Sequence, residues 1–210
     1  MPKTDRSIHV QELVAHDLAY TAAGQVVAGM DEAGRGPLVG CVVTACVVMP
    51  LDTAPILWVD DSKKLSEMRR EKVFDEILEK ALFVGIGQAS PQEIDNMNIL
   101  QATMQAMRRA AEQIPADVFL IDAVKNLGLK GQEVPIIHGD ALSYNIAAAS
   151  IVAKVTRDRQ LKELDARYPM YGFAKNKGYG TKEHIAALQQ YGPCPEHRKS
   201  FIGHFWPVAP

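Results

Sequence analysis

Three cysteines in 210 residues, none of them in a Cys-x-x-Cys pair, leave this chain without a disulfide framework or a thiolate zinc site. Cys41 and Cys46 lie inside one apolar run and Cys194 stands apart, which reads as buried thiols in a reducing compartment. No stretch approaches the roughly 18 uninterrupted apolar residues of a membrane span, and Met1-Pro2-Lys3-Thr4-Asp5-Arg6 lacks the apolar segment of a secretory signal. Together these absences predict a soluble, cytoplasmic protein without membrane contact. Internal repeats and low-complexity segments are also missing, so repeat architectures and disordered tracts are excluded.

What is present is enough apolar material, 47% of residues, for one sizeable core. The net charge of −2 conceals a polarity. Residues 141–210 hold ten Lys/Arg against five Asp/Glu, a net of +5, which leaves −7 for residues 1–140. A basic C-terminal third suits a polyanion and an acidic remainder suits cations, although solvated surface charge has the same composition.

Periodicity predicts a helix over 4–19, Val-rich strands over 25–31 and 38–49 joined as a hairpin by Gly34-Arg35-Gly36-Pro37, and a helix opened by Ser66. A third strand over 82–88 follows, then a helix capped at Ser90-Pro91, another over about 98–113, and a short buried strand, Val118 to Ile121, that ends at Asp122. A last strand at Val134–Ile137 precedes a long helix beginning near Ala147, whose small side chains let it lie close to a sheet. Beyond Pro169, Gly172 and Gly178 the pattern becomes a small helical appendage. The alternation is that of an α/β protein.

Asp31 and Asp122 close apolar strands, Glu32 adjoins the first, and Asp140 lies between a strand and a helix. Strand ends of an α/β sheet converge, so these acids can gather at one edge. Four such carboxylates repel one another in a partly dry cleft, and hard cations relieve the repulsion. Oxygen donors without His or Cys suit Mg²⁺ or Mn²⁺, two of which clamp a phosphodiester. Spacing alone leaves open that the acids cap turns and helices separately. The Gly34-Arg35-Gly36 turn fits neither a dinucleotide nor a Walker loop, because it leads into Pro37 and a β-rich run rather than a helix. Glycines on both sides of Arg35 instead permit close approach of a sugar-phosphate, with Arg35 as a forked phosphate donor; a tight turn with a solvated Arg has the same sequence.

Met30-Asp31-Glu32-Ala33-Gly34-Arg35-Gly36-Pro37-Leu38-Val39-Gly40 resembles the opening motif of bacterial ribonuclease HII. Asp61-Ser62-Lys63-Lys64-Leu65-Ser66, Asn98 to Thr103, Gly139-Asp140 with Ile146 to Asp158, Lys177-Gly178-Tyr179-Gly180-Thr181 and His197 to Phe201 agree in order, so the likeness runs over about residues 25–202. The resemblance implies an RNase H-like mixed β-sheet flanked by helices, with an N-terminal helical extension (1–20), a catalytic core (21–168) and a C-terminal helical appendage completing the substrate cleft (169–210). It also implies a monomeric endoribonuclease that cleaves the RNA strand of RNA–DNA hybrids and nicks duplex DNA on the 5′ side of an embedded ribonucleotide. Asp31, Glu32, Asp122 and Asp140 would then be catalytic and hold two divalent ions, Mg²⁺ or Mn²⁺, leaving 5′-phosphate and 3′-OH ends. Gly34, Arg35 and Gly36 would read the ribose 2′-hydroxyl, and Tyr179 would pack on the neighbouring deoxyribose.

Ser62, Lys63 and Lys64 are candidates for phosphate contact, and Lys154 and Arg157 are read as extending the basic surface. One departure from the family pattern is Ala123, where Gly is usual after the strand-four aspartate; a slight backbone adjustment is expected. The histidines, His138, His184 and His197 among them, carry no assigned catalytic role. Two alternatives stay open: a hybrid-binding module without catalysis, which would not need all four acids, and a ribonuclease HIII-like nuclease without junction activity. Against the latter stand Tyr179 and the short stretch, about two dozen residues, before the first strand.

Overall fold

The first Val- and Ala-containing run forms β1 (Val27–Ala33), the central strand of a five-stranded sheet. A computed structural model describes residues 3–21, 24–59 and 65–206 of the chain. β1 pairs antiparallel with β2 (Val42–Val48), which pairs antiparallel with β3 (Phe83–Ala89). On its other side β1 pairs parallel with β4 (Val118–Asp122), and β4 parallel with β5 (Gln132–Ile136), giving the order β3-β2-β1-β4-β5. β5 is an edge strand, which is why it tolerates Pro135.

Helices cover both faces, as the mixed sheet requires. α1 (Lys3–Leu18), α2 (Glu67–Lys80) and α5 (Tyr144–Arg167) pack on one side, where Ala45 and Val47 meet Val73, Ile77, Ala148 and Val152. α4 (Ile99–Ala111) covers the other, where Met30, Cys46 and Val48 meet Met107 and Ala110; the short α3 (Pro91–Met97) leads into it. Side chains cap these helices as the sequence suggests: Ser66 accepts from Arg69 N–H, and Ser90 and Glu93 form a reciprocal capping box. α6 (Phe173–Asn176), α7 (Lys182–Tyr191) and α8 (Lys199–Ile202) make up the C-terminal segment. Among the described residues no helix is long and apolar enough to cross a membrane.

The expected hairpin differs in detail. β1 continues through Glu32 to Ala33, and β2 begins at Val42 rather than 38. Pro37 has no N–H to give a ladder, and the groups around it are taken by the C-terminal segment. Leu38 N–H donates to Gly178 O, Gly40 N–H donates to Glu196 O, and Val39 bridges to His197. The chain from Gly34 to Cys41 is therefore a loop fastened to residues 178–198.

α5 lies unusually close to the sheet because β1 has Gly at 29. A Cβ there would stand 2.1 Å from the Asn145 carbonyl carbon, with no flexible side chain able to give way. Gly29→Ala should therefore cost about 3 kcal/mol of stability, since backbone must move. Urea unfolding of the variant measures it; a loss under about 1 kcal/mol would contradict this account of the close approach.

Candidate active site

In the parallel pairing of β1 with β4, Met30 stands opposite Ile121, so Asp31 and Asp122 come one step later on neighbouring strands and on the face toward α5. The Asp31 carboxylate is buried. Its Oδ1 accepts from Glu32 N–H at 2.6 Å, and the Ser150 side chain, reaching from α5, hydrogen-bonds to it. Burial pushes this carboxyl well above the usual carboxylate range, and the charges of Glu32 and then Asp122 push it further. Asp122 Oδ1 accepts from Gly139 N–H at 2.8 Å, fastening the single 3₁₀ turn Gly139–Ala141 to the end of β4. That turn carries the buried Asp140.

Asp31, Glu32 and Asp122 line one cleft of about 450 Å³, with Gly34, Arg35 and Gly36 along its rim and Tyr179 facing them. Asp140 is not on the wall of this cleft; the Gly139–Asp122 hydrogen bond ties the turn that carries it to the end of β4. Among the described residues no group of three Asp, Glu, His or Cys side chains is close enough to hold one ion jointly. The donors are nonetheless those of a hard divalent cation: carboxylate oxygens only, on a buried group whose ionisation its neighbours oppose. Ala123 adopts a left-handed conformation with φ of 51°, so a residue with a Cβ bears backbone strain beside Asp122. Val124 N–H donates back to Asp122 O at 2.6 Å, closing this tight bend.

The glycine turn is shaped from below. Gly34 has φ of 98°, and a Cβ on it would meet Arg157 Nε at 2.0 Å. Arg157, read from the sequence as part of an exposed basic surface, is buried instead: Nε donates to Cys41 O, Nη1 to Lys177 O and Nη2 to Val39 O. A guanidinium there has three carbonyls from two loops within reach, which offsets the cost of burying its charge. Arg198 is also fully buried and donates only to backbone carbonyls. Arg35 itself is half-exposed, with Nη1 3.5 Å from Glu32 Oε1. Lys154 and Lys177 line the cleft, Lys154 Nζ on Asp158 at 2.5 Å and Lys177 Nζ on Glu67 at 3.4 Å. Ser62, Lys63 and Lys64 lie outside the described residues.

Tyr179 is half-exposed, and a Cβ placed on Gly36 would lie 3.6 Å from its ring. Its carbonyl accepts from His184 Nδ1 at 2.8 Å. Cys194 N–H donates to His197 Nδ1 at 3.0 Å, so the ring proton of His197 sits on Nε2 and faces His184 Nε2 at 3.1 Å. Both rings must be neutral for this chain to close, since a proton on His184 Nε2 would set two donors against each other. Burial and the neighbouring ring push His197 down to about 4, and burial lowers His184. Neither Ser150 nor Arg198 was assigned a role from the sequence. Ser150 had a signal, a single hydroxyl among Ala147-Ala148-Ala149 and Ile151-Val152-Ala153; nothing marks Arg198 as buried.

The strand order, the helices on both faces and a cleft of acids at the β1–β4 rim define a ribonuclease H-like α/β protein. A model of the family "Ribonuclease HII" matches residues 28–206. The ribonuclease HII of Ruminiclostridium cellulolyticum is 51% identical over 207 residues, covering 97% of this chain and 81% of that protein. That of Psychromonas ingrahamii is 55% identical over 179 residues, covering 84% and 87%. The crystal structure of ribonuclease H2 from Pyrococcus horikoshii superposes with a TM-score of 0.71 at 27% identity, over 83% of this chain and 92% of that one. The chain belongs to the ribonuclease HII family, and is a ribonuclease.

The histidine pair sets a pH dependence. A folded-state value below the ordinary 6.5 means that the pair contributes stability above pH 6.5 and loses it as pH falls towards 4, where the unfolded chain takes up protons first. We expect a loss on the order of 2 kcal/mol across that window, after allowance for partial solvation. Urea midpoints should fall over it less in His197→Gln than in the unaltered chain; equal falls would remove the pair from the account.

Proposed function

We propose that the protein is an endoribonuclease that hydrolyses the RNA strand of RNA–DNA hybrids and nicks duplex DNA 5′ of a single embedded ribonucleotide. The observation that carries this reading is the buried Asp31 carboxylate, opposed by Glu32 and Asp122, in the same cleft as the Gly34-Arg35-Gly36 turn. Asp31, Glu32, Asp122 and Asp140 would hold the divalent ions, Mg²⁺ or Mn²⁺. Such ions, a pair of them during catalysis, supply an activated water and neutralise the charge on the attacked phosphate and the departing 3′-oxygen, leaving 5′-phosphate and 3′-hydroxyl ends.

The chain's own groups do the positioning. Ser150 orients the Asp31 carboxylate, and Gly139 N–H orients that of Asp122. Lys154 and Lys177 face the cleft as cations for flanking phosphates, with Ser62, Lys63 and Lys64 as further phosphate contacts. The backbone of Gly34, Arg35 and Gly36 reads the ribose 2′-hydroxyl, the atom that separates RNA from DNA. That hydroxyl is recognised and not used as the nucleophile, so the products carry no 2′,3′-cyclic phosphate. Tyr179, beside Gly36 at the cleft, offers its ring to the sugar on the DNA side of the junction, where an apolar face packs on a deoxyribose better than on a hydroxylated one.

Incubation with a duplex bearing one ribonucleotide, with Mg²⁺, with Mn²⁺ and with chelator, tests the whole reading. Metal-dependent nicking 5′ of the ribonucleotide is expected, and intact duplex in every lane would refute it. Asp31→Asn should lower turnover by about 10²–10³-fold while hybrid binding stays equal or tightens, because less negative charge faces the phosphates. An unchanged rate would take Asp31 out of the mechanism. Tyr179→Ala should lower cleavage at a single ribonucleotide about tenfold more than on a long hybrid, the worth of one base- or sugar-stacking contact. Equal losses on the two substrates would leave the ring without a junction role.

A further inference from the structure

Arg198 is one of the largest fully buried side chains of the protein, and the nuclease reading gives it no task. Its guanidinium reaches 158–164 residues back along the chain to a single short segment. Nη2 donates to Gly34 O at 2.7 Å and to Gly40 O at 2.8 Å. Nη1 donates to Arg35 O at 3.1 Å and Pro37 O at 2.8 Å, and Nε to Gly40 O at 2.9 Å. No carboxylate hydrogen-bonds to it among the described residues. The nearby Asp95 is taken up by the N–H groups of Lys199 and Ser200, which seat the start of α8 and so fix where Arg198 begins. Phe201 lies under the guanidinium, 5.2 Å from it.

The geometry of the peptide unit gives this arrangement a consequence. In a planar trans peptide the carbonyl of one residue and the N–H of the next point in opposite directions. The described chain has no cis bonds. Drawing the carbonyls of Gly34 and Arg35 down onto Arg198 therefore turns the N–H groups of Arg35 and Gly36 the other way. Neither N–H has an intramolecular partner among the described residues, and both residues border the cleft. Leu38 N–H, by contrast, is consumed by Gly178 O, which anchors the far end of the turn.

We infer that Arg198 is the positioning residue for ribose selection: by holding the carbonyls of Gly34 and Arg35 it presents the Arg35 and Gly36 N–H groups to the 2′-hydroxyl oxygen. This rests on the reading of the turn given above and adds to it the group that sets the turn's orientation. A lysine cannot substitute, because one ammonium with three donors cannot span four carbonyls lying on different sides of a planar five-donor fork. The hydrogen bonds of Arg198 go to backbone carbonyls of residues 34–40, so its task is the shape of the turn rather than phosphate binding or metal chemistry.

The test is a ratio. Affinities for a duplex carrying one ribonucleotide and for the same duplex all in DNA are measured by fluorescence anisotropy, with Ca²⁺ as the only divalent ion, for the unaltered protein and for Arg198→Lys. We expect the variant to lose about tenfold of the ribonucleotide preference, the worth of one well-aligned hydrogen bond, while its all-DNA affinity, set by phosphate contacts, stays within about twofold. A preference that survives in a variant melting near the parent temperature overturns the role of Arg198 alone. No preference in the unaltered protein refutes the 2′-hydroxyl reading itself, whatever Arg198 does. Should Arg198→Lys fail to fold, Phe201→Leu keeps the guanidinium but removes the ring it rests on. A ratio lowered about threefold supports the inference, and an unchanged ratio overturns it.

Discussion

The approach of α5 to β1 sets the distance at which every group in the cleft is held. Gly29 lets the helix backbone rest on the strand, and Asn145 locks it there: its Oδ1 accepts from Met49 N–H while its own N–H and Nδ2 donate to the buried Asp17 of α1. A carboxylate at the first turn of a helix is favoured by the helix dipole as well as by these bonds. From that fixed start α5 delivers, at helical spacing, Ser150 to Asp31, Lys154 to the cleft wall and Arg157 to the underside of the glycine turn. The three groups share one face because they recur every three or four residues.

Charge is then sorted by depth. Asp31, Glu32 and Asp122 line the cleft together with the half-buried cations Lys154 and Lys177. Beneath, two guanidiniums are buried without carboxylate hydrogen bonds and are satisfied by carbonyls. Burial, and then the charge of Arg157, bring Arg198 down to about 9, far below an ordinary guanidinium yet still charged at neutral pH. Buried cations under a turn whose carbonyls they occupy leave the turn's positive ends facing outward, an arrangement suited to an electron-rich partner.

The sheet, the flanking helices and the positions of Asp31 and Asp122 were readable because hydrophobic periodicity and turn residues report local structure. The capping serines Ser66 and Ser90 were readable for the same reason. What could not be read was tertiary. Residues 38–41 have strand composition, and their pairing with residues 178–198 depends on partners far away in sequence. Arg157 lies in a basic helix and reads as surface; it is buried only because two loops, one around Val39 and Cys41 and one at Lys177, converge on it. The closed hydrogen-bond chain of His184, His197 and Cys194 likewise required geometry.

The tether from Arg198 to Gly34–Gly40 also has a bearing on biosynthesis. Residues 34–40 leave the ribosome early, while the side chain that holds their carbonyls is made more than 150 residues later. At translation speeds of about 5–20 residues per second, the turn spends on the order of ten seconds without its anchor. A nascent chain can thus assemble its sheet while the segment from Gly34 to Gly40 is still untethered, so the shape of this edge of the cleft is settled only after residue 198 has been made.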